Sequence, residues 1–159
     1  MAAGCVNVSH CGVLFFGMEI ENILELIAVC VARGKQNAQS PHPPDMRGQD
    51  GSDELTRRAL DEGVSPQRLL DEGLVAGMTR IGVLFRDKRV FVPDVLLAAR
   101  AMSAGMAHLA PFSQSKQIHR SGIFVIGTVR GDLHDIGKRL VSMIAEGAGW
   151  EIVDLGADV

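Results

Sequence analysis

The segment over residues 122–137, which reads GIFVIGTVRGDLHDIG, constrains the fold of this chain more than any other. An apolar run rich in branched residues, 123–129, stops at Arg130 and Gly131, and a pattern with helical spacing follows. The pattern predicts a buried parallel strand, a tight loop and the start of a helix. Open α/β sheets bind their ligands at the carboxyl ends of the strands, so we expect a functional site in this loop.

The loop contains an Asp-x-His pair, Asp132 and His134. A carboxylate near a histidine can accept the proton of one ring nitrogen, which fixes the tautomer and leaves the other nitrogen able to bind a metal ion. Gly137 has no Cβ and would let a bulky group approach the backbone. Taken alone, however, a histidine beside a helix start is more often a solvated loop residue or a cap, and the glycine suits helix–strand packing equally well.

Residues 131–138, GDLHDIGK, resemble the Asp-x-His-x-x-Gly motif of cobalamin-binding domains in methionine synthase and in the corrinoid proteins of methanol and methylamine methyltransferases. The resemblance implies that His134 is the lower axial ligand of cobalt and that Asp132 orients it. It also implies cofactor contacts from the other motif residues: Gly131, Asp135, Ile136 and Gly137.

The sequence before the motif predicts four amphipathic helices. They extend over residues 19–34, 52–62 with Ser52 as N-cap, 65–85 with Ser65 as N-cap and a kink near Gly73, and 93–111. Residues 36–51 hold three prolines and are predicted to be an exposed linker. Four such helices with mostly short connections favour a helical bundle.

Residues 74–112 resemble the helical cap that precedes the cobalamin domain in the same family. The matching groups are Gly77-Met78, Ile81-Gly82, Leu84-Phe85, Phe91-Val92-Pro93 and Ala98-Ala99. The resemblance implies that Phe85 and Val92 lie over the cobalt-bound methyl group and that Met78 contacts the cofactor. A dry apolar cover would keep water and oxygen from reduced cobalt. From the residues alone, most of these positions are equally well explained as core.

After the motif, the sequence predicts a helix up to about residue 147 and a second strand over 150–156. The predicted fold is therefore α plus α/β, with a four-helix bundle cap followed by the first βαβ unit of a Rossmann-like (flavodoxin-like) cobalamin-binding domain. We expect a disordered leader over 1–18, with Met18 as the more natural start, a cap over 19–113 and a partial cobalamin domain over 120–159.

A doubly wound domain needs about twice as much βα sequence as follows the cap. The chain is therefore interpreted as a C-terminally truncated member of the family. An apolar sheet with an unpaired edge recruits other chains, so we expect weak cobalamin binding by this chain and self-association through the edge of its sheet.

Composition sets the remaining limits. With 47% apolar and 22% charged residues, the chain resembles a soluble globular protein, and its net charge of −3 argues against nucleic acid as the main partner. The apolar run 13–16 is too short to cross a membrane, and no Lys or Arg precedes it as in a secretory signal. The cysteines fit no disulfide spacing, and Cys5, His10 and Cys11 lack a second pair of metal ligands. We therefore expect reduced thiols and a cytoplasmic protein.

The resemblance implies a corrinoid protein that carries a methyl group from a substrate-specific methyltransferase to an acceptor methyltransferase, with no catalytic residues of its own and with room for a reductive activase as a third partner. Three alternatives remain: a cobalamin module of a methionine-synthase-like enzyme, a cobalamin-dependent regulator, and a nicotinamide-binding fold with Asp154 on a ribose. Regulator caps resemble a pattern built on Trp, whereas Trp150 lies outside the cap. The loop glycines do not fit G-x-G-x-x-G.

Overall fold

The computed structural model describes residues 11–114, 121–132, 136–147 and 149–159. In these ranges the helices are α1 Cys11–Ala32, α2 Ser52–Asp61, α3 Pro66–Arg68, α4 Ala76–Arg86, α5 Val92–Gln114 and α6 Ile136–Gly147. A π-helical segment, Leu69–Val75, joins α3 to α4, and a 3-10 turn occupies Pro44–Met46. The strands are β1 Gly122–Ile126 and β2 Trp150–Asp154.

The helices before β1 pack around one apolar core. Helix α1 contacts α2, the π-helical segment and α4, while α2 and α4 also contact α5. The most deeply buried large side chains of this core are Ile27, Val31, Leu69, Leu70, Leu74, Met102 and Leu109. They recur at helical spacing along each helix, so the apolar stripes predicted from the sequence face one another.

The helices α2 and α3 begin in different ways. The Ser65 Oγ accepts a hydrogen bond from the Arg68 amide at 3.3 Å, which confirms the predicted cap of α3. The prediction that Ser52 caps α2 is wrong, because Ser52 is the first residue of the helix and is fully buried. Gly51 precedes the helix, and its amide donates to the Glu54 carboxylate at 2.9 Å.

Two helical details differ from the sequence-based expectation, and the structure specifies a third. Helix α1 begins at Cys11, eight residues before the predicted start at Glu19. Helix α5 continues through Pro111 to Gln114, three residues past the predicted end. The irregularity predicted near Gly73 is the π-helical segment.

The connection between α1 and α2, residues 36–51, is largely exposed but is tied to the helices at its start. The Arg33 guanidinium forms two hydrogen bonds with the Asp45 carboxylate, at 2.8 and 2.9 Å. The Lys35 ammonium donates to the Ser40 carbonyl at 3.2 Å. These contacts give the proline-containing segment a fixed course along the end of the bundle.

Cys30, in the last turns of α1, has a buried thiol that is 2% exposed. Burial raises the pKa of this thiol to about 11. The thiol is therefore protonated near neutral pH.

Strands β1 and β2 are parallel, pair along their whole lengths and are connected through α6. The strands end at Ile126 and Asp154, before the predicted ends at Val129 and Gly156. Gly156 has a φ of +93°, which takes the backbone out of the extended region. The chains still touch beyond the strands, since the Thr128 amide donates to the Gly156 carbonyl at 3.0 Å.

Among the described residues, one helix is long and apolar enough to cross a membrane by length and composition alone, namely α5 over Val92–Phe112. Its inward residues Ala98, Ala101 and Leu109 are fully buried against the other helices. The apolar composition of α5 is thus accounted for by its place at the centre of the bundle.

Replacement of Gly77 by Ala tests the contact between α1 and α4. An added Cβ would lie 2.6 Å from the Ala28 carbonyl oxygen and 2.6 Å from Val31 Cβ, so the helices would have to separate. We expect Gly77→Ala to lower the free energy of unfolding by about 1–3 kcal/mol in urea denaturation. The matched control is Gly82→Ala in the same helix, where no heavy atom lies within 4 Å of the added Cβ.

Gly82→Ala is expected to raise the free energy of unfolding by up to about 1 kcal/mol, because Ala favours helix more than Gly. Equal effects of the two substitutions would contradict the close packing of α1 on α4.

Candidate functional site

A cavity of about 230 Å³ lies where the helical bundle meets α6. Helices α4 and α5 form one wall and α6 forms the other. The residues that line the cavity are Met78, Thr79, Ile81, Gly82, Phe85, Val95, Ile144 and Gly147. Because nearly all of them are apolar, the cavity suits an apolar ligand surface better than a charged one.

The two walls touch at Gly147 and Met78. A Cβ added to Gly147 would lie 2.7 Å from Met78 Cε and 2.8 Å from Met78 Cγ. Only a glycine therefore lets the end of α6 approach α4 this closely. This contact closes the cavity at one side.

The structure brings Met78 and Phe85 to the cavity, as the sequence predicts for cofactor contacts, but it does not bring Val92 to its lining. Phe85 is 40% exposed, whereas Ile81, one helical turn earlier, is 3% exposed. Val92, at the start of α5, is 39% exposed. Phe85 and Val92 are therefore not core residues of the bundle. The sequence alone had left a core position open for both.

The loop after β1 carries the predicted cobalt site. Gly131 has a φ of +83°, and Asp132 is half-buried with its amide donating to the Val129 carbonyl at 3.0 Å. Ile136 is the first residue of α6, and Gly137 follows; no heavy atom of the described residues lies within 4 Å of a Cβ added there. The start of α6 is thus open to an approaching group.

Two predicted site residues, His134 and Asp135, lie outside the described residues. Cys5 and His10, which the sequence analysis rejected as metal ligands, also lie outside the described residues. The placement of the proposed cobalt ligand therefore remains a prediction, and the described chain stops at Asp132 and resumes at Ile136.

Sequence reasoning gave no role to Lys138, which is the third residue of α6. Its ammonium donates to Asp154 Oδ1 at 2.6 Å and to the Gly156 carbonyl at 3.0 Å, and its side chain is 9% exposed. The Lys138 ammonium holds the pKa of the Asp154 carboxyl below its usual range. The sequence did contain a signal for this ion pair. A lysine directly follows the motif glycine and an aspartate ends the next strand, and both positions fall at the same end of a βαβ unit.

Lys138 also bears on the nicotinamide alternative. That alternative needs Asp154 to hold a ribose, yet its Oδ1 already accepts hydrogen bonds from Lys138 and from the Gly156 amide, the latter at 2.9 Å. The carboxylate therefore serves the βαβ unit itself.

Thr128 places a buried hydroxyl just beyond the carboxyl end of β1. The residue is 7% exposed, and its Oγ1 has no hydrogen-bond partner within the part of the chain that the structure describes. A buried hydroxyl without a partner is costly. It is therefore a group that a bound ligand or water would satisfy.

Comparison with known proteins identifies the kind of site. Residues 49–110 match the B12 binding domain family. Dimethylamine corrinoid protein 1 of Methanosarcina mazei is 43% identical over 97 residues, which cover 60% of this chain and 45% of that protein. Trimethylamine corrinoid protein 1 of the same organism is 42% identical over 108 residues, which cover 67% of this chain and 50% of that protein.

A solved structure agrees with the sequence matches. The crystal structure of the methanol:cobalamin methyltransferase complex from Methanosarcina barkeri contains a chain that superimposes with a TM-score of 0.70 and 28% identity, over 87% of this chain and 48% of that one. By these matches the chain is similar to corrinoid proteins, and its match to the B12 binding domain implies cobalamin as the cofactor. The chain spans about half the length of the curated relatives that it matches.

The described residues fit the chemistry of a corrin. An apolar wall with an exposed Phe85 suits the face of a flat macrocycle, Gly137 leaves the start of α6 open, and Thr128 offers an unpaired hydroxyl. The volume of the cavity is too small for a whole cobalamin, because even pockets for much smaller ligands have volumes of about 300–1,000 Å³. At about 230 Å³, the cavity has room for only part of a cobalamin.

Proposed function

We propose that this protein is a methyl carrier, which receives a methyl group from a substrate-specific methyltransferase and gives it to an acceptor methyltransferase. When bound, cobalamin supplies the cobalt centre that accepts and releases the methyl group. The observation that carries the proposal is the combination, in one chain, of a B12 binding domain over residues 49–110 and an Asp-x-His-x-x-Gly loop at the carboxyl end of β1.

The identity of the partners rests on the relatives. The similar Methanosarcina barkeri structure is that of a methanol:cobalamin methyltransferase complex. The Methanosarcina mazei relatives are named as a dimethylamine corrinoid protein and a trimethylamine corrinoid protein. This supports a methyltransferase as the partner of this chain. A reductive activase is a further proposed partner, and the cytoplasm is the proposed location.

In this proposal, His134 binds cobalt through the ring nitrogen that is not bonded to Asp132. Asp132 orients the imidazole and raises its basicity. The half-buried position of Asp132, whose amide is bonded to the Val129 carbonyl, supports such a role because this turn holds the residue beside the end of β1. Asp135, Ile136 and Gly137 would then lie at the edge of the corrin.

On the other side, Phe85, Val92 and Met78 form the proposed cover of the methyl group. Phe85 and Val92 keep large exposed surfaces in this structure, 40% and 39%, although each belongs to a helix of a well-packed bundle. An apolar surface of this kind excludes water when a flat group lies against it. The exposed surfaces thus support a role outside the core.

Substitution of the proposed cobalt ligand tests the function directly. With bound hydroxocobalamin, His134→Ala should lose the histidine-ligated visible spectrum, and acidification should do the same because a proton competes with the metal for the imidazole. Asp132→Asn should act more mildly, since the ligand itself stays.

The matched control is His108→Ala, which removes another histidine paired with a carboxylate. His108 Nε2 lies 2.5 Å from Asp53 Oδ1, between α2 and α5. This variant should keep the wild-type spectrum. A spectrum left unchanged by His134→Ala would refute the assignment.

Truncation of the proposed cover should separate protection of cobalt from packing. The double variant Phe85→Ala/Val92→Ala should speed oxidation of reduced cobalt by oxygen, measured by stopped-flow absorbance, with little change in melting temperature. Leu70→Ala is the control, because Leu70 is 2% exposed and does not line the cavity. It should lower stability by about 2–5 kcal/mol. A large fall in melting temperature with unaltered oxidation in the double variant would show that the two residues are core.

We propose in addition that copies of this chain associate through the sheet. In the described residues the sheet has two strands, and its outward face carries Ile123, Val125 and Val153, which are 64%, 58% and 39% exposed. Unpaired edges beside apolar faces favour association. Light scattering should therefore show oligomers that Val125→Lys reduces to monomers. A monomeric wild-type chain at high concentration would contradict this.

A further inference from the structure

The segment after β2 is hydrogen-bonded to both ends of the loop that carries the proposed cobalt ligand. At the end of the loop, the Lys138 ammonium reaches Asp154 Oδ1 and the Gly156 carbonyl, at 2.6 and 3.0 Å. At the start, the Gly131 amide donates to Asp158 Oδ1 at 2.7 Å. The loop thus runs between two fixed points on the same short segment.

The backbone at the start of the loop supports this arrangement. Gly131 and Asp158 both have left-handed conformations, with φ values of +83° and +62°. Asp is among the few residues other than Gly that adopt this region with little cost. The turn at Asp158 directs its carboxylate toward the amide of Gly131, so the two turns are joined by one charge-assisted hydrogen bond.

The end of the loop depends on a well-covered cation. The Lys138 side chain is 9% exposed, while Asp154 keeps 42% of its side-chain surface in solvent. A covered ammonium is costly unless its donors are paired, and Asp154 at the end of β2 and the Gly156 carbonyl after it provide that pairing. The position of the Lys138 ammonium is therefore fixed by these two acceptors, and this restricts the position of the first turn of α6.

We propose that Lys138 and Asp158 are positioning residues that set the place of Asp132 and His134 by holding both ends of the loop. The identity of the group that His134 binds rests on the proposed function, whereas the two contacts do not. Groups that hydrogen-bond directly to a metal ligand change metal affinity by roughly 10- to 100-fold when they are removed, and this range is the upper limit for residues that act through the loop.

Three substitutions separate the two contacts. Lys138→Met removes the cation with a side chain of similar length, and it leaves Asp154 solvated rather than buried and unpaired. Lys138→Arg keeps the charge and the donors. Asp158→Gly removes the acceptor at the start of the loop and tolerates the left-handed backbone without strain. The matched control is Arg68→Met, which removes the cation of an exposed helical pair with Glu72 at 2.7 Å.

The first measurement is amide hydrogen exchange without cobalamin. Lys138→Met and Asp158→Gly should lose protection in residues 127–138 and 154–159, while the bundle helices keep theirs. Arg68→Met should change neither region, and Lys138→Arg should keep most of the wild-type protection. Unchanged exchange of the loop in Lys138→Met would overturn the inference, whatever the protein binds.

The second measurement distinguishes positioning from mere support of the fold. With saturating hydroxocobalamin, Lys138→Met should show a smaller histidine-ligated fraction in the visible spectrum and a dissociation constant raised by up to roughly 100-fold. A role in stability alone would leave the spectrum at saturation unchanged, and that result would also overturn the inference. If the wild-type chain bound no hydroxocobalamin, the proposed function would fail, while the exchange experiment would still decide whether Lys138 and Asp158 hold the loop.

Discussion

The contact between Gly147 of α6 and Met78 of α4 determines how the two halves of the described chain share a cavity. An added Cβ at Gly147 would lie 2.7 Å from the Met78 side chain, so the end of α6 can reach the bundle only without a side chain of its own. Helix α6 also packs against α5, so the positions of β1 and β2 relative to Phe85 follow from these contacts together. The cavity is the space between α4, α5 and α6 that lies beside the contact of Gly147 with Met78.

The bundle can present an apolar wall because its stability comes from elsewhere. Residues such as Ile27, Leu70 and Leu109, which are nearly or fully buried, form a core that does not include Phe85 or Val92. A fully buried side chain of this size contributes about 1.5–3 kcal/mol. The outward apolar residues at the end of α4 and the start of α5 are therefore available for contact with another group, since the fold does not depend on them.

The helices were predictable because each buries one stripe, but the way they begin was predictable only in part. Ser52 and Ser65 look alike in the sequence, and only Ser65 caps a helix. The reason is tertiary, because the Ser52 amide donates to the Lys35 carbonyl at 3.1 Å and the next amide is likewise bonded to the loop after α1. Donors already satisfied by a distant carbonyl need no local cap.

The same distinction applies to the site. The Asp-x-His-x-x-Gly motif showed where the loop lies and which relatives share it, because it is local in sequence. The pairing of Lys138 with Asp154, 16 residues later, depends on the parallel register of β1 and β2, which no local pattern contains. The cavity could not be derived either, since it depends on how α6 meets α4.

The buried thiol of Cys30 has a chemical consequence for the proposed function, in which the protein handles an electrophilic methyl group. Thiolates are the reactive form of cysteine, and a thiol with a pKa of about 11 is almost entirely protonated in a neutral solution. Cys30 is also 2% exposed, so neither a cobalt centre nor an alkylating substrate can reach its sulfur while the bundle is folded. In the proposed methyl carrier, burial would therefore protect Cys30 from being methylated, so the methyl group would stay available to the acceptor.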